Sequence, residues 1–293
     1  MKVFVTGASG YVGTAVVKKL LERGHEVIVL QRSRKTGINH PQLSLIAGDI
    51  TDRASLPGGM AGCEAVIHLV GIIREIPGRN ITMQRIHVEG TRNVVAEARE
   101  AGVKRFLHMS ALGSRPGAVS SYHQSKWAAE EIVRQSGLAY TIFRPSVIFG
   151  QGGPGPNFVA QLADLVRKAP LVPVIGDGSF QLQPVSIASV AEGFACGLET
   201  THTLNKVYEV GGPERLSYLK ILEMVAEALG KKLHKIHLPV GLMKFLVPLL
   251  QNVPGFPLTH DQLLMLLEGN VCEDWQTYYR DFGIEPERFQ VIL

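Results

Sequence analysis

The sequence predicts an α/β fold in which a doubly wound parallel β-sheet is followed by a smaller, mostly helical C-terminal cap. Three observations predict it. Short apolar runs alternate with helical apolar patterns, which is typical of parallel sheets with helices on both faces. The first run, residues 2–6, leads into a glycine-rich turn and a helical pattern from Tyr11. The chain has 293 residues, 45% of them hydrophobic, enough for one large domain or two unequal ones.

The glycine-rich turn predicts a dinucleotide site. Gly7 permits the turn, Gly10 lets main chain approach a pyrophosphate, and Gly13 lets the helix pack closely on the strand. The helix N-terminus adds N–H groups and the positive end of the helix dipole. The spacing is G-x-x-G-x-x-G rather than G-x-G-x-x-G, and a plain strand–helix turn is the alternative. The predicted contacts here are Gly7, Ser9, Gly10, Tyr11, Val12 and Gly13.

The end of the second strand predicts the type of cofactor. In dinucleotide folds a carboxylate at this point binds the ribose of NAD, whereas an arginine accommodates the extra phosphate of NADP. This chain has Gln31, Arg32, Ser33, Arg34 and Lys35 after a strand over residues 26–30, and no acid. Guanidinium groups suit phosphate. We therefore predict NADP(H) rather than NAD(H), held by Gln31, Arg32, Arg34 and Lys35; a solvated basic loop is the alternative.

The next elements predict further cofactor contacts. Strands are expected over residues 42–47, 65–69, 103–109 and 138–144, and helices over residues 53–60, 81–101 and 158–168. Asp52 is expected to cap the first of these helices. The Gly- and Pro-rich segment 151–156 is expected to cross the mouth of the site. The predicted contacts from the strand ends are Asp49, which would accept from the adenine amino group, and Ile50, Leu69, Val70 and Gly71.

Three residues further along the chain have the chemistry of a proton-transfer site. Ser110 ends the fifth strand, and Tyr122 and Lys126 are four residues apart, so they share one face of a helix. A free phenol has a pKa near ~10, and a neighbouring ammonium is expected to lower it toward neutral pH. Ser110 would then hold a substrate oxygen while Tyr122 moves the proton. A Tyr-x-x-x-Lys pair alone is also compatible with an ordinary amphipathic helix.

VTGASGYVG, the strand-end Ser110, YHQSK and RPSVIFG resemble the short-chain dehydrogenase/reductase superfamily in its extended and atypical branches. HVEGTRNVVAEAREAGVKRFLHMSALGS and TIFRPSVIFG are similar to bacterial relatives of the dehydrogenase-like accessory subunit of respiratory complex I. The resemblance covers the whole chain and implies a Rossmann-type fold. It also implies a catalytic Tyr122, a ribose-anchoring Lys126 and a substrate-steadying Ser110, with main chain at Pro145 and Val147 near the nicotinamide. Many catalytic members have Asn where this chain has His87. An imidazole there would either replace the Asn in a proton relay or be a structural residue within the helix.

Composition excludes several other classes. The net charge is only +4 and the basic residues are spread along the chain, which argues against nucleic-acid binding. The three cysteines are far apart, without disulfide or metal-ligand spacing, so a reducing compartment and no metal are expected. The first strand begins at residue 2, and we expect a cytoplasmic protein without a leader. The apolar stretch 238–250 is too short for a bilayer span, and is expected to be a core or interface helix, with membrane-surface docking as the alternative.

Together these patterns predict an NADP(H)-dependent oxidoreductase acting on a small carbonyl or alcohol, or on a quinone-type substrate. The alternative is a non-catalytic NADP(H)-binding sensor, assembly factor or subunit at the periphery of a respiratory complex, and a nucleotide-sugar epimerase is third. The cofactor domain is expected over residues 1–150, completed by about 180–212. The cap is expected over residues 151–179 and 213–293, with the chain a monomer or homodimer.

Overall fold

The computed structural model describes residues 1–32, 36–155, 157–251, 253, 256 and 258–292. Its strands are β1 (Lys2–Thr6), β2 (Glu26–Gln31), β3 (Leu43–Ala47), β4 (Ala65–His68), β5 (Arg105–Met109), β6 (Ala139–Pro145), β7 (Ile148–Phe149), β8 (Val172–Ile175), β9 (Gln181–Leu182), β10 (Val185–Ser186), β11 (Lys206–Val210), β12 (Leu216–Ser217) and β13 (Lys235–Leu238). Its α-helices are α1 (Tyr11–Glu22), α2 (Gly90–Glu100), α3 (Ser121–Arg134), α4 (Phe158–Lys168), α5 (Ile187–Glu199), α6 (Tyr218–Ala228), α7 (Val240–Leu250), α8 (His260–Glu268) and α9 (Trp275–Phe282).

A seven-stranded sheet forms the centre of the molecule. Its strands lie in the order β11-β6-β5-β4-β1-β2-β3, and every neighbouring pair is parallel. The strand order reverses between β1 and β4, so the connections leaving these two strands diverge and open a crevice at their carboxyl ends. The predicted doubly wound parallel sheet is confirmed.

Helices cover both faces of this sheet because successive strand residues point to opposite sides. Val3 and Val5 of β1 belong to an apolar cluster with α1 and α5, while Phe4 between them packs with α2 and α3 in a second cluster. Each face therefore has its own buried core, and the carboxyl edge of the sheet is left for loops.

A second apolar core lies beyond the sheet. Helices α4 and α6 pack with β8 around Val159, Leu222 and Val225, and β8 pairs with β13. Helix α7 packs on α8 in a small cluster of its own. Helix α9 instead returns to the main sheet, where it joins the core formed by α1 and α5. The domain boundaries expected from the sequence stay a prediction.

Two predicted helices differ from those observed. The helix expected over residues 53–60 is a single 3₁₀ turn, Arg53–Ser55. It ends there because Pro57 follows and Gly58 has a φ of +79°. Asp52 caps this turn, as predicted. The helix expected over residues 81–101 opens with a π-helical turn, Gln84–Glu89, before α2 begins. A side chain at Gly90 would come within 2.5 Å of Ile50, which explains the glycine at this junction.

Helix α1 packs so closely on the glycine turn that no side chain fits at Gly13. A Cβ atom at Gly13 would lie 2.1 Å from the carbonyl oxygen of Gly7 and 2.7 Å from the Cα atom of Ala8. Both obstacles are main chain, so neither can rotate away. Gly13 therefore sets how closely α1 approaches β1.

We expect Gly13→Ala to lower the free energy of unfolding by about 3 kcal/mol, because the methyl group must push α1 off the turn. Gly78→Ala is the matched control, since nothing lies within 4 Å of a Cβ atom there. Urea denaturation followed by circular dichroism measures both. Equal midpoints for the two variants would contradict the close packing.

Candidate functional site

The glycine turn packs directly on the end of β4 at the carboxyl edge of the sheet. Gly7 has a φ of +78°, and a Cβ atom there would lie 2.9 Å from the main chain of Leu69 and of Val70. Helix α1 begins at this point with Gly10 in the N-cap position, and no side chain in the described part of the chain caps it. The first N–H groups of α1 are therefore available for an anion.

The segment after β7 lies against the first turn of α1. The Tyr11 hydroxyl donates to the carbonyl of Gly150 at 2.8 Å, and the main-chain N–H of Gly153 donates to the carbonyl of Tyr11 at 2.9 Å. A Cβ atom at Gly152 would meet the Tyr11 ring at 2.4 Å, which explains the run of glycines. The segment expected to cross the mouth of the site thus closes one side of the turn.

The end of β2 holds the residues predicted to select the cofactor. Gln31 ends the strand, and the exposed Arg32 places a guanidinium nitrogen 3.7 Å from the Asp49 carboxylate. The other oxygen of Asp49 accepts from the main-chain N–H and the hydroxyl of Thr51, each at 2.9 Å. Asp49 is therefore partly engaged within its own turn. Arg34 and Lys35 lie outside the described residues.

The residues after β3 and β4 approach the same edge of the sheet. Ile50 is buried, and its carbonyl accepts from the side-chain amide of Asn93 at 2.8 Å. Gly71 is exposed, and a Cβ atom there would lie 3.6 Å from Lys126 Nζ and 3.5 Å from His87 Nε2. The end of β4 thus lies between the glycine turn and the helix that carries Lys126.

Helix α3 brings Lys126 beneath this crevice. Its ammonium donates to the carbonyl of Met109 at 2.6 Å, directly before Ser110, whose hydroxyl donates to Ser114 at 3.2 Å. Lys126 is only 2% exposed, and burial lowers its pKa to about 8 against an opposing effect of the Glu130 carboxylate. The strand-end serine and the lysine are therefore neighbours, as the sequence predicts.

Tyr122 differs from the sequence-based expectation in its acidity. Burial raises the pKa of Tyr122 to about 12, whereas we expected the lysine to lower it. The Lys126 ammonium is held by the Met109 carbonyl, and the phenol packs edge-on against His87, with ring centroids 5.6 Å apart. In this state Tyr122 is a protonated phenol, able to donate a proton but not to accept one.

His87 is held by hydrogen bonds on both ring nitrogens. Nε2 accepts from the main-chain N–H of Ile72 at 3.0 Å, so Nδ1 carries the hydrogen and donates to the Ser125 hydroxyl at 2.8 Å. Ser125 in turn donates to the carbonyl of Tyr122. Burial, with the nearby Lys126 charge, lowers the pKa of His87 to about 2. This arrangement argues against the predicted proton relay through His87; the ring instead ties the end of β4 to α3.

A buried ion network fixes α3 against β6, and sequence analysis missed it. Glu130 is fully buried, and its carboxylate accepts two hydrogen bonds from Arg144, at 2.8 and 2.7 Å, and one from Arg134 at 2.6 Å. Both guanidinium groups lie over the Trp127 ring. The charges on α3 are visible in the sequence, but nothing there indicates that one of them pairs with a strand residue.

Two contacts from the C-terminal part reach the same site, and no sequence pattern indicates either. The Asp261 carboxylate on α8 accepts from the main-chain N–H groups of Ser121, at 3.2 Å, and Tyr122, at 3.0 Å, and so caps helix α3. Asn270 accepts from the N–H of Val147 at 3.2 Å. Pro145 ends β6, and its carbonyl accepts from Leu112. The main chain predicted to border the nicotinamide is thus braced by the segment after α8.

The described residues fit a dinucleotide. The uncapped start of α1, directly after the glycine turn, offers main-chain N–H groups to a diphosphate. Arg32 follows the end of β2 and would reach the adenosine end of the dinucleotide. Lys126 contacts the end of β5 and would reach the nicotinamide end. No described helix combines the length and apolar character that crossing a bilayer requires.

The sequence pattern of the NAD dependent epimerase/dehydratase family matches residues 3–211, which is most of the chain and all seven strands of the main sheet. The chain belongs to this family. Its members use a nicotinamide dinucleotide, and the fold described above is theirs.

Individual relatives have several different names. The chain is 26% identical over 305 aligned residues to the mitochondrial NADH dehydrogenase (ubiquinone) 1 alpha subcomplex subunit 9 of Arabidopsis thaliana, covering 98% of this chain and 74% of that one. It is 27% identical to a 3-beta-hydroxysteroid dehydrogenase of Mycolicibacterium neoaurum, with 80% and 72% covered. The crystal structure of UDP-glucuronic acid 4-epimerase from Bacillus cereus, in complex with UDP-glucuronic acid and NAD, superposes with a TM-score of 0.73, at 20% identity and with 99% and 95% covered.

We expect Lys126→Met to raise the free energy of unfolding at pH 7 by about 2 kcal/mol. The lowered pKa corresponds to about 3 kcal/mol, and the lost hydrogen bond to Met109 offsets about 1. In the unfolded chain the lysine regains its ordinary pKa of 10.5, so the unfolded state binds more protons between pH 8 and 10.5 and wild-type stability rises there with pH. The advantage of the variant should therefore shrink through this range.

Denaturation of the cofactor-free protein at several pH values measures this difference. Lys18→Met, on the exposed side of α1, is the control and should behave like wild type throughout. If the stability advantage of Lys126→Met stays constant from pH 7 to 10.5, the charge on Lys126 does not destabilise the folded protein, and the prediction is wrong.

Proposed function

We propose that this protein is an NADP(H)-dependent oxidoreductase of the short-chain dehydrogenase type, which interconverts a carbonyl and an alcohol. The observation that carries the proposal is the meeting of three features at the carboxyl edge of the sheet. The uncapped glycine turn, the strand-end Ser110 and the Tyr122–Lys126 pair come from separate parts of the chain. A protein that only needed a stable fold has no reason to bury an ammonium at this point.

The roles of the residues follow from their surroundings. When bound, the nicotinamide supplies or accepts the hydride. Ser110 would hold the substrate oxygen, and Tyr122, a neutral phenol, would give its proton to that oxygen during carbonyl reduction. Because burial raises the pKa of Tyr122 to about 12, this transfer needs a positive charge nearby. Lys126 would anchor the ribose, and a positive charge released from Met109 toward Tyr122 would stabilise the phenolate left behind. Asp261 of α8 would hold the first turn of α3, and with it Tyr122, in place.

The substrate we propose is apolar, of the steroid or quinone type. The names of relatives in two groups, a 3-beta-hydroxysteroid dehydrogenase and a ubiquinone-linked subunit, support a lipophilic compound. Cytoplasmic location and a monomeric or dimeric state are part of the same proposal.

The second candidate is a non-catalytic NADP(H)-binding sensor, assembly factor or peripheral subunit of a respiratory complex. The similarity to complex I subunits favours it, as does the engagement of both His87 nitrogens in structural hydrogen bonds. A nucleotide-sugar epimerase ranks third. Its support is a likeness of fold at 20% identity, which carries no information about the substrate.

We expect NADPH-loaded protein to lose its near-ultraviolet absorbance on incubation with one or more members of a panel of ketosteroids, quinones, ketones and aldehydes. Tyr122→Phe removes the transferable proton and should slow this oxidation by about 10²–10⁴-fold. Tyr140→Phe, on β6 and outside the proposed site, is the control and should keep the wild-type rate.

Two results would separate the candidates. Tight NADPH binding without oxidation by any compound of the panel supports the sensor or subunit. Oxidation that Tyr122→Phe leaves unchanged would contradict the role given to the phenol, whatever the substrate.

We expect Arg32→Ala to weaken NADPH binding by roughly tenfold or more while leaving NADH binding within about twofold, since only NADPH offers a ribose phosphate to a guanidinium. Isothermal titration calorimetry measures both affinities. Arg53→Ala, which removes an exposed arginine paired with Glu100, is the control. If Arg32→Ala weakens the two cofactors equally, the assignment of NADP(H) at this position is wrong.

A further inference from the structure

One side of α7 is apolar and faces away from the protein. Phe245 is 67% exposed, Leu249 65% and Leu242 43%, and the first two are the most exposed large apolar side chains in the described part of the chain. Their spacing of three and four residues places them on one side of the helix. Met243 and Val247 occupy a different side and are buried against α8. We call the three exposed residues the α7 patch.

A neighbouring loop enlarges this apolar surface. Arg74 donates to the carbonyls of Gln251, at 2.6 Å, and Phe256, at 3.3 Å, so the loop after β4 lies beside the C-terminal end of α7. In the same loop Ile73 is 41% exposed and Ile76 is 45% exposed. Soluble monomers seldom concentrate large apolar side chains in this way without a binding partner.

The charges in the chain segment that carries the α7 patch are positive. No aspartate or glutamate occurs from residue 228 to residue 260, a stretch that contains lysines 231, 232, 235 and 244, all exposed. Among these, Lys235 pairs with Glu223 at 3.1 Å. The guanidinium of Arg74 donates to main-chain carbonyls, which leave its charge uncompensated. The single acid of the adjoining loop, Glu75, accepts from the N–H of Met83 and likewise keeps its charge, which Arg79 of the same loop balances.

We propose that the α7 patch docks on the surface of an anionic phospholipid bilayer. Leu242, Phe245 and Leu249 would enter the region between headgroups and acyl chains, while the surrounding lysines and Arg74 meet lipid phosphates. Charge complementarity decides for this occupant. A second copy of the chain would bring the same cations face to face, and like charges repel across an interface.

Docking here would bring the bilayer close to the proposed catalytic helix. Helix α7 packs on α8, and Asp261 of α8 caps the start of α3 at Ser121 and Tyr122. Helix α8 therefore links the helix that carries the membrane-facing surface to the first turn of α3. This surface is independent of the proposed oxidoreductase activity, because a non-catalytic NADP(H)-binding protein would carry it equally.

The test is cosedimentation of the full chain with two kinds of vesicle, pure phosphatidylcholine and phosphatidylcholine containing roughly 30% phosphatidylglycerol. We expect binding to the anionic vesicles at least about tenfold stronger than to the neutral ones. Phe245→Ser/Leu249→Ser should reduce anionic binding by at least about tenfold. Leu45→Ser/Leu204→Ser, which changes two exposed apolar residues at the opposite edges of the main sheet, should not change it.

The control is the NADPH affinity of both double variants, measured by calorimetry. We expect it to be unchanged, which would show that the variants are folded and would keep this test separate from the proposed function. Three results would overturn the proposal: no sedimentation with either vesicle, equal binding to neutral and anionic vesicles, or a concentration-dependent dimer in light scattering that Phe245→Ser/Leu249→Ser abolishes. The last result would assign the α7 patch to self-association.

Discussion

The arrangement of the site depends on a contact between two pieces of main chain. Helix α1 rests on the glycine turn at Gly13, and the turn in turn abuts Leu69 and Val70 at Gly7, with no side chain between them. Because main chain cannot change rotamer, the width of the crevice between β1 and β4 is set independently of the rest of the sequence. The start of α1, the end of β4 and the loops beyond them are all positioned relative to this contact.

A buried charge is the second feature that organises the site. Lys126 loses hydration beneath the crevice, and the three histidines nearest to it, His68, His87 and His108, have pKa values lowered mainly by burial, so they stay neutral around it. Glu130 lies one helical turn away and holds α3 to β6 through Arg144. The site thus combines a fixed cation with a dry environment, in which its field on a bound ligand is stronger than in water.

Periodicity and turn residues predicted the parts of the structure that depend on local interactions. The strand at Lys2–Thr6 and the helix at Phe158–Lys168 match the predicted bounds, and Pro57 already contained the signal that ends the short helix after Asp52. What could not be predicted depends on residues far apart in the chain. Asp261 and Tyr122 are 139 positions apart, and the acidity of that phenol follows from burial, which the Tyr-x-x-x-Lys spacing does not encode.

The cap that Asp261 provides for α3 has a consequence for how such proteins diversify. The C-terminal segment that carries Asp261 stabilises the first turn of α3, although the two lie far apart in the chain. A graft of this region from another family member would therefore need a carboxylate at the matching position, or helix α3 of the recipient would have a frayed start.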